Sequence, residues 1–349
     1  MTLPRTLDWR PEGPSVRLLD QTRLPVAIAF VDCLTVAELI DAIRRLVVRG
    51  APALGAVGAL GVALAIAESE REGWSPAHLA DTIAALRSAR PTAVNLAWGV
   101  DEVLPLLPAG LPAVLAGARR LIAADEAANR LLAERGTEWI LDRVRGERVN
   151  VLTHCNTGSL ATTAWGTALG IVRTLSTRGR LGLVYADETR PLLQGSRLTA
   201  WELAGEGIDY RIQVDGAAAS TIARGLVDVA IIGADRIARN GDTANKIGSL
   251  AVALACADAG VPFIVAAPAS TLDLTTATGD GITIEQRPEA EVLHWGDAVV
   301  APPGARAFNP AFDVTPARLI DAIVTEVGVV EPRLIADVSA IAAATPARV

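Results

Sequence analysis

The stretch VDVAIIGADR, from Val227 to Arg236, decides the fold class of this chain of 349 residues. A largely apolar run ends in a glycine and is followed by an aspartate and an arginine. This order is typical of a buried strand with a polar loop at its carboxyl end. Apolar runs of this kind recur after residue 145, at Val149–Leu152, Leu181–Tyr185, Tyr210–Val214, Val227–Ile232 and Pro262–Ala266.

Helical patterns separate these runs. We predict the intervening helices at Leu160–Arg173, Arg197–Glu206, Ala217–Arg224 and Ala244–Ala259. The alternation of short strands with helices predicts repeated β-α units, and therefore an α/β fold with a parallel sheet.

The first part of the chain has a different, mainly helical pattern. Thr35–Glu38 is a capping box that predicts the start of a helix, and Pro52 suits the first turn of the next helix. Gly55, Gly58 and Gly61 indicate close helix packing rather than a dinucleotide loop, since no strand precedes them. Further helices are predicted at Pro76–Arg87, Asn95–Leu104 and Leu111–Arg145. We therefore expect a helical domain at residues 1–140 and an α/β domain at residues 141–349.

Composition and charge exclude several classes of protein. The net charge of −7 argues against a nucleic-acid-binding surface. The three cysteines form no CxxC pair, and with only three histidines a structural metal site is not indicated. The uncharged stretch Gly50–Ala67 reaches the lower limit of a membrane span, but its Gly/Ala composition and Pro52 favour a buried helix. Because the start of the chain lacks the layout of a signal peptide, we expect a cytoplasmic protein without a membrane partner.

One lysine, Lys246, stands among 31 arginines. The two residue types are not interchangeable where a compact, flexible charge is needed, so Lys246 is a candidate functional residue. The pattern predicts that it lies in the first turn of a helix, where its charge opposes the helix dipole unless an anion or a carboxylate lies nearby. Arg49-Gly50-Ala51-Pro52 also precedes a predicted helix, and backbone N–H groups with an arginine could hold a phosphate there.

Ionisable side chains follow the predicted strands at the edge where parallel sheets bind ligands. Cys155 follows the first strand, and a turn into the positive end of the next helix would lower the pKa of its thiol. The alternative is an inert core cysteine, as we expect for Cys33 and Cys256. Asp235 follows the fourth strand, where partial desolvation would raise its pKa and suit proton transfer, unless it only caps its own loop. Successive strand residues point to opposite faces, so the adjacent His154 does not indicate a cysteine–histidine pair.

Seven stretches spread over nearly the whole chain carry a family resemblance. They are RGAPALG from Arg49, RPTAVNLAW from Arg90, THCNTGSLAT from Thr153, ETRPLLQGSRLTAWEL from Glu188, GADRIARNGDTANKIGS from Gly233, AAPASTLD from Ala266 and FNPAFDVTP from Phe308. Together they resemble the methylthioribose-1-phosphate isomerases of methionine salvage, a family related to the regulatory initiation-factor-2B alpha, beta and delta subunits.

The resemblance implies an aldose–ketose isomerase that converts 5-methylthioribose 1-phosphate to 5-methylthioribulose 1-phosphate without a cofactor or metal. It implies a helical N-terminal domain, a Rossmann-like parallel-sheet C-terminal domain and a homodimer. Cys155 and Asp235 match the catalytic pair of the family. The positions that match its substrate contacts are Arg49, Gly50, Ala51, Arg90, Gln194, Asn245 and Lys246.

Small departures from the family pattern leave alternatives open. Thr157 and Ser159 stand where alanines are usual, Ala307 stands where a valine is common, and Val214–Thr221 is unusual for a region associated with the dimer. Two related sugars are therefore alternative substrates, 5-deoxyribose 1-phosphate and ribose 1,5-bisphosphate, and the latter needs a second phosphate pocket. The third alternative is a non-catalytic regulatory subunit, but the intact cysteine and aspartate motifs favour an enzyme.

Overall fold

A computed structural model describes residues 3–90, 94–335 and 337–339. Along these residues the α-helices are α1 (Val36–Arg44), α2 (Ala51–Glu72), α3 (Pro76–Arg87), α4 (Val94–Val103), α5 (Gly110–Arg143), α6 (Ala168–Thr177), α7 (Ala200–Gly205), α8 (Ala218–Ala223), α9 (Ser249–Ala259) and α10 (Ala290–Leu293). The strands are β1 (Leu7–Arg10), β2 (Ser15–Leu19), β3 (Phe30–Cys33), β4 (Val149–Thr153), β5 (Leu181–Asp187), β6 (Tyr210–Gln213), β7 (Val229–Ile232), β8 (Arg236–Ala238), β9 (Thr243–Lys246), β10 (Phe263–Ala266), β11 (Leu272–Asp273), β12 (His294–Trp295), β13 (Ala298–Val299), β14 (Phe312–Thr315), β15 (Ala322–Val324) and β16 (Val329–Val330).

The chain forms two compact units. One comprises Met1–Leu131 and Thr157–Gly170, and the other comprises Leu132–Asn156 and Ile171–Val349. The first unit therefore includes Thr157–Gly170, and nothing in the sequence pattern predicts that this segment separates from the elements before and after it. The predicted division into domains 1–140 and 141–349 stays a prediction.

The first unit combines helices with a small antiparallel sheet of β1, β2 and β3. The expectation of a helical N-terminal region is confirmed, but it omitted this sheet. In β1 the residues alternate between buried and exposed. A period-two pattern over only four residues is too short to predict a strand from the sequence.

Two local predictions in this unit are confirmed. The Thr35 side chain accepts the backbone N–H of Glu38, whose carboxylate accepts the N–H of Thr35, which completes the capping box of α1. The glycines of α2 permit close packing against α4. A Cβ on Gly58 would lie 2.5 Å from the carbonyl oxygen of Leu96, and one on Gly99 would lie 1.9 Å from that of Gly55.

Two helical stretches of the described residues, α2 and the run Val94–Arg143, are long and apolar enough to cross a bilayer. In α2, 89% of the apolar window is buried inside the protein, so the prediction of a buried helix here is confirmed. In the second stretch the window is 22% buried, and a 3₁₀ turn at Leu104–Ala109 with two prolines interrupts the α-helix. Length and composition alone are weak grounds for a membrane span in either case.

The second unit contains a seven-stranded sheet in the order β16-β15-β10-β7-β4-β5-β6. The strands from β15 to β6 are parallel, and β16 is antiparallel to its neighbour β15. Every residue of the central strands β7 and β10 is buried, as expected for strands covered on both faces. The α/β class with a parallel sheet is therefore confirmed.

Two predicted helices begin later than expected. The helix predicted at Leu160–Arg173 begins at Ala168, because Trp165 and Gly166 have φ values of 68° and 87°, which a right-handed helix cannot contain. The helix predicted at Ala244–Ala259 begins at Ser249, directly after Gly248 with φ 107°. The residues before that glycine form β9, which pairs with β14 and with β8.

Candidate active site

The candidate catalytic residues follow neighbouring strands of the parallel sheet. In the register of β4 and β7, Thr153 lies opposite Ile231. Cys155 comes two residues after Thr153, and Asp235 comes four residues after Ile231. The sheet therefore places both residues at the same edge, at the carboxyl ends of adjacent strands, which is where ligands of open parallel sheets bind.

Cys155 is buried, and its thiol, its backbone N–H and its carbonyl each have a hydrogen-bond partner. The Nε2 amide of Gln194 donates to its thiol sulfur at 3.3 Å. Its backbone N–H donates to the Thr189 hydroxyl at 2.9 Å, and its carbonyl accepts the Thr199 hydroxyl at 2.7 Å. The structure thus brings together Cys155 and Gln194, two residues that the resemblance selected from separate motifs.

The expected reason for thiol activation is wrong. The next helix begins at Ala168, so Cys155 does not lie in the turn that leads into it. Its backbone has φ 68°, in the left-handed region that few non-glycine residues occupy. Strained conformations of this kind persist where the surroundings enforce them, and they cluster at functional sites.

The loop after β5 supplies those surroundings. Thr189 and Leu193 also have positive φ values, of 64° and 56°. The Asp215 carboxylate accepts the backbone N–H groups of Thr189 and Arg190, each at 2.7 Å. This double acceptor fixes the loop that holds the Thr189 hydroxyl against Cys155. The sequence places this loop in the family motif that begins at Glu188, but it does not predict these contacts.

Asp235 is half-buried, and its backbone N–H donates to the carbonyl of Ala244 at 2.9 Å. This bond joins the exit of β7 to β9, the strand that carries Asn245 and Lys246. Asn245 is buried and its amide donates to the Ser249 hydroxyl at 2.8 Å.

Lys246 lies at the end of β9, so its predicted place in the first turn of a helix is wrong. Its ammonium group donates to the carbonyl of Ala311 at 2.7 Å and lies 4.5 Å from the ring centre of Phe312. The helix-dipole argument therefore does not apply to it. A carbonyl and an aromatic face fix its position instead, and such a place suits a compact ammonium charge.

The remaining predicted substrate contacts belong to the first unit. Gly50 has φ 100°, and a Cβ there would lie 2.2 Å from the carbonyl oxygen of Ala161, so both conformation and space require glycine. Ala51 begins α2, as predicted for this helix start. The Nε and Nη2 atoms of Arg49 are buried, and no hydrogen-bond partner for them lies among the described residues. Arg90 precedes a gap, and Pro91–Ala93 of its motif lie outside the described residues.

His154 does not pair with the Cys155 side chain. Its Nδ1 lies 2.9 Å from an oxygen of Asp187, and its Nε2 lies 2.8 Å from the carbonyl oxygen of Ile247. Burial by itself lowers the pKa of His154, but the hydrogen bond to Asp187 and its charge outweigh burial and raise the pKa to about 9. The expectation that adjacency does not make a cysteine–histidine pair agrees with this geometry.

One group of potential metal ligands in the described part of the chain occurs here, formed by His154, Asp187 and Asp215. Its oxygens already accept hydrogen bonds. Both oxygens of Asp215 accept backbone N–H groups, and those of Asp187 face His154 and the Gln213 amide. This donor set fits a hydrogen-bond network, and we assign no metal to it.

The buried pair predicts a pH dependence of stability. Folded His154 keeps its extra proton up to about pH 9, whereas a free histidine loses it near pH 6.5. The folded state therefore binds more protons in this window, so the contribution of this pair to the free energy of unfolding is largest below pH 6.5 and falls towards pH 9. Denaturant unfolding across this pH range measures the decrease.

The matched variant is Asp187→Asn, in which a neutral imidazole can accept from the new amide, so the decrease should disappear. Burial raises the pKa values of the Cys33 and Cys256 thiols to about 12 from about 9, so these groups affect stability only above the histidine window. An equal decrease in the wild type and in Asp187→Asn would contradict the assignment.

Comparisons with known proteins agree with this architecture. Residues 47–332 match the initiation factor 2 subunit family. A methylthioribose-1-phosphate isomerase from Alkalilimnicola ehrlichii is 52% identical over 332 residues, which cover 93% of this chain and 94% of that protein. A 5-deoxyribose 1-phosphate isomerase from Moorella thermoacetica is 46% identical over 337 residues, with 93% and 94% covered.

Two solved structures have the same fold. The 5-methylthioribose 1-phosphate isomerase from Pyrococcus horikoshii OT3 superposes with a TM-score of 0.88 at 36% identity, over 99% of this chain and 97% of that one. The delta subunit of translation initiation factor eIF-2B from A. fulgidus superposes with a TM-score of 0.84 at 40% identity, over 97% and 99%. The fold and the family are therefore common to proteins whose names denote enzymes and to one named as a translation factor subunit.

Proposed function

The chain belongs to the initiation factor 2 subunit family, and from this premise we propose that it isomerises 5-methylthioribose 1-phosphate to 5-methylthioribulose 1-phosphate. Relatives named for this activity are similar to it over nearly their whole length. The observation that carries the proposal is the exit of Cys155 and Asp235 from adjacent parallel strands. A regulatory subunit would have no need for a thiol and a carboxylate at this edge.

The reaction moves hydrogen between C1 and C2 of a sugar whose ring is locked by the phosphate on C1. Ring opening must therefore come first. Asp235 serves as the general acid or base at the ring oxygen or the C2 hydroxyl, and Cys155 acts at C1 and C2, where its thiol is oriented by the Gln194 amide. An enediol route and a hydride shift are both consistent with these roles.

Substrate binding requires groups that hold a phosphate and hydroxyls. Arg49 suits the phosphate, because its buried Nε and Nη2 atoms have no hydrogen-bond partner among the described residues and would gain most from an anionic ligand. The backbone at Gly50 and Ala51 adds the N-terminal end of α2, where the helix dipole favours an anion. Arg90, Asn245 and Lys246 supply further charged and polar contacts.

Two other substrates follow from the same site. The relative named as a 5-deoxyribose 1-phosphate isomerase makes that sugar the second candidate. Ribose 1,5-bisphosphate is the third, and it needs a second cationic pocket for the phosphate on C5. The decisive experiment compares kcat/KM for four purified substrates. They are the 1-phosphates of 5-methylthioribose, 5-deoxyribose and ribose, and ribose 1,5-bisphosphate. The proposal requires the highest value for the methylthio sugar, and the absence of turnover with any of them would favour a regulatory subunit.

We propose that the protein acts as a homodimer in the cytoplasm. The resemblance supports the dimer, and the exposed apolar side chains of Ile212, in the edge strand β6, and Val214, directly after it, give it a surface to bury. Light scattering on the purified protein measures the mass in solution, and a monomer at all concentrations would contradict the dimer.

The substitution Lys246→Arg is expected to weaken substrate binding or turnover by at least about tenfold, or ~1.4 kcal/mol. A planar guanidinium is longer and cannot keep both the Ala311 carbonyl bond and the approach to the Phe312 ring. Steady-state kinetics measures the change. Arg224→Lys, at an exposed position after α8, is the control and should be silent. If Lys246→Arg behaves like the wild type, the lone lysine has no special role.

A further inference from the structure

His154 joins two strand ends that carry different parts of the site. The imidazole follows β4 directly and precedes Cys155 in the chain. Its Nε2 bonds to the carbonyl of Ile247, the residue after Lys246 at the end of β9. Because a carbonyl only accepts, Nε2 must carry a proton, and the bond has one fixed direction.

The ring is held on every side that the structure describes. Its Nδ1 bonds to Asp187, whose other oxygen accepts the Gln213 amide at 2.8 Å. A Cβ on Gly248 would lie 2.7 Å from Cε1 of the imidazole, so glycine is needed for the chain to pass the ring. His154 itself is 1% exposed. A side chain confined in this way transmits its position to what it bonds.

The segment Asn245–Gly248 is held from two directions. On one side β14 holds it through the pairing of Lys246 with Phe312 and through the bond from the Gly248 N–H to Asp313 at 2.8 Å. On the other side the His154 bond ties Ile247 to the exit of β4. Loss of that bond would remove the tie to β4, so the segment would open from β14 more often and would shift relative to Cys155.

We propose that His154 is a positioning residue, which fixes the substrate-binding segment Asn245–Lys246 at its working distance from Cys155. The inference rests on the proposed function, since it assigns these residues to one substrate. A displacement of about 1 Å in a site can lower kcat/KM by about a hundredfold, and because the displaced residues here bind the substrate, the loss should fall mainly on KM.

Geometry and charge can be separated by choice of variant. Asp187→Asn keeps both bonds of the ring, because the Asn amide can donate to Nδ1 of a neutral imidazole while its oxygen accepts from Gln213. The cation is then lost and the position is kept. The other charged groups that face His154 are Asp215 and Asp313, and both keep their own backbone donors in this variant.

Two substitutions of His154 complete the set. His154→Asn places an amide near Asp187 and loses the bond to Ile247, whereas His154→Gln reaches far enough to donate to Ile247. We expect His154→Asn to raise KM by at least about tenfold with a smaller effect on kcat. Asp187→Asn and His154→Gln should keep KM within about threefold of the wild type.

Steady-state kinetics with the methylthio sugar, with circular dichroism on each variant, performs the test. A merely structural loss reduces the active fraction and lowers kcat at constant KM, which would overturn the positioning role. So would an Asp187→Asn variant as impaired as His154→Asn, since charge would then be the cause. If His154→Asn does not fold, a KM in His154→Gln raised beyond the stated range overturns the proposal, and a KM within it supports the proposal.

Hydrogen exchange gives a second measurement that does not depend on turnover. The backbone N–H groups of Ile247 and Gly248 should exchange faster in His154→Asn than in the wild type. In Asp187→Asn they should exchange at the wild-type rate. An active wild type with unchanged exchange in His154→Asn refutes the positioning role. If the wild type is inactive but the exchange rates differ as expected, the proposed function is refuted. The conclusion that His154 ties Ile247 to the exit of β4 is then still supported.

Discussion

Replacement of Cys155 by alanine is expected to lower kcat by about 10²–10⁴-fold while the protein remains folded. The Gln194 amide donates a hydrogen bond to this thiol at the edge of the sheet. Alanine has no group at that place that could transfer a proton. The backbone bonds of the residue to Thr189 and Thr199 do not involve the sulfur, so the strained turn should persist. Turnover under saturating substrate measures the effect, and circular dichroism checks the fold.

Cys33 and Cys256 are the matched controls, because they too are buried thiols. Burial raises the pKa of each to about 12, so neither forms a thiolate near neutral pH. Cys33→Ala and Cys256→Ala should therefore keep kcat, although each opens a small cavity that reduces stability. A Cys155→Ala enzyme with near-normal kcat would remove the thiol from the mechanism.

The edge of the sheet that carries this site could be predicted because it depends on local signals. An apolar run and the glycine after it place Asp235 at the carboxyl end of β7 without knowledge of any other part of the chain. The apolar residues of β4 likewise place Cys155 at the carboxyl end of that strand. The parallel class then brings these ends together, since carboxyl ends of parallel strands share one edge.

The strand that holds Lys246 could not be predicted in the same way. Phe312 in β14, the partner of Lys246, is far along the chain. The other partner strand, β8, is close in sequence, and Asn240-Gly241 between the two strands is a hairpin signal. Strands of three and four residues are nevertheless too short to show a clear pattern of their own. The helical pattern of α9 continues backwards across Gly248 in the sequence, and it therefore predicts a helix where β9 lies. Tertiary pairing decided the structure against local propensity, as it commonly does for short segments.

Contacts that fix the catalytic turn were equally hidden. Positive φ values at Cys155, Thr189 and Leu193 go against the preferences of those residue types. They persist because the carboxylate of Asp215, which follows the edge strand β6, accepts two backbone N–H groups of the loop. Where local rules fail in this way, a functional constraint is the usual reason, and here the failures surround the candidate thiol.

The substitution Asp235→Asn is expected to lower kcat by about 10²–10⁴-fold, with KM changed by no more than about threefold. Asparagine keeps the shape of the side chain and can still form hydrogen bonds, but it cannot take up or release a proton. The backbone bond from residue 235 to Ala244 is independent of the side chain, so β9 keeps its place. The expected signature is thus a loss in kcat at nearly constant KM, measured by steady-state kinetics over a range of pH.

Asp228 provides the control at the opposite end of the same strand. It precedes β7, and its carboxylate accepts the backbone N–H of Asn150 at 2.7 Å, a bond that an asparagine oxygen can also accept. Asp228→Asn removes the same charge from the amino end and should leave kcat unchanged, because ligands bind at the carboxyl ends. Equal losses in both variants would attribute the effect to the stability of β7, and normal turnover in Asp235→Asn would exclude this carboxylate as the proton-transfer group.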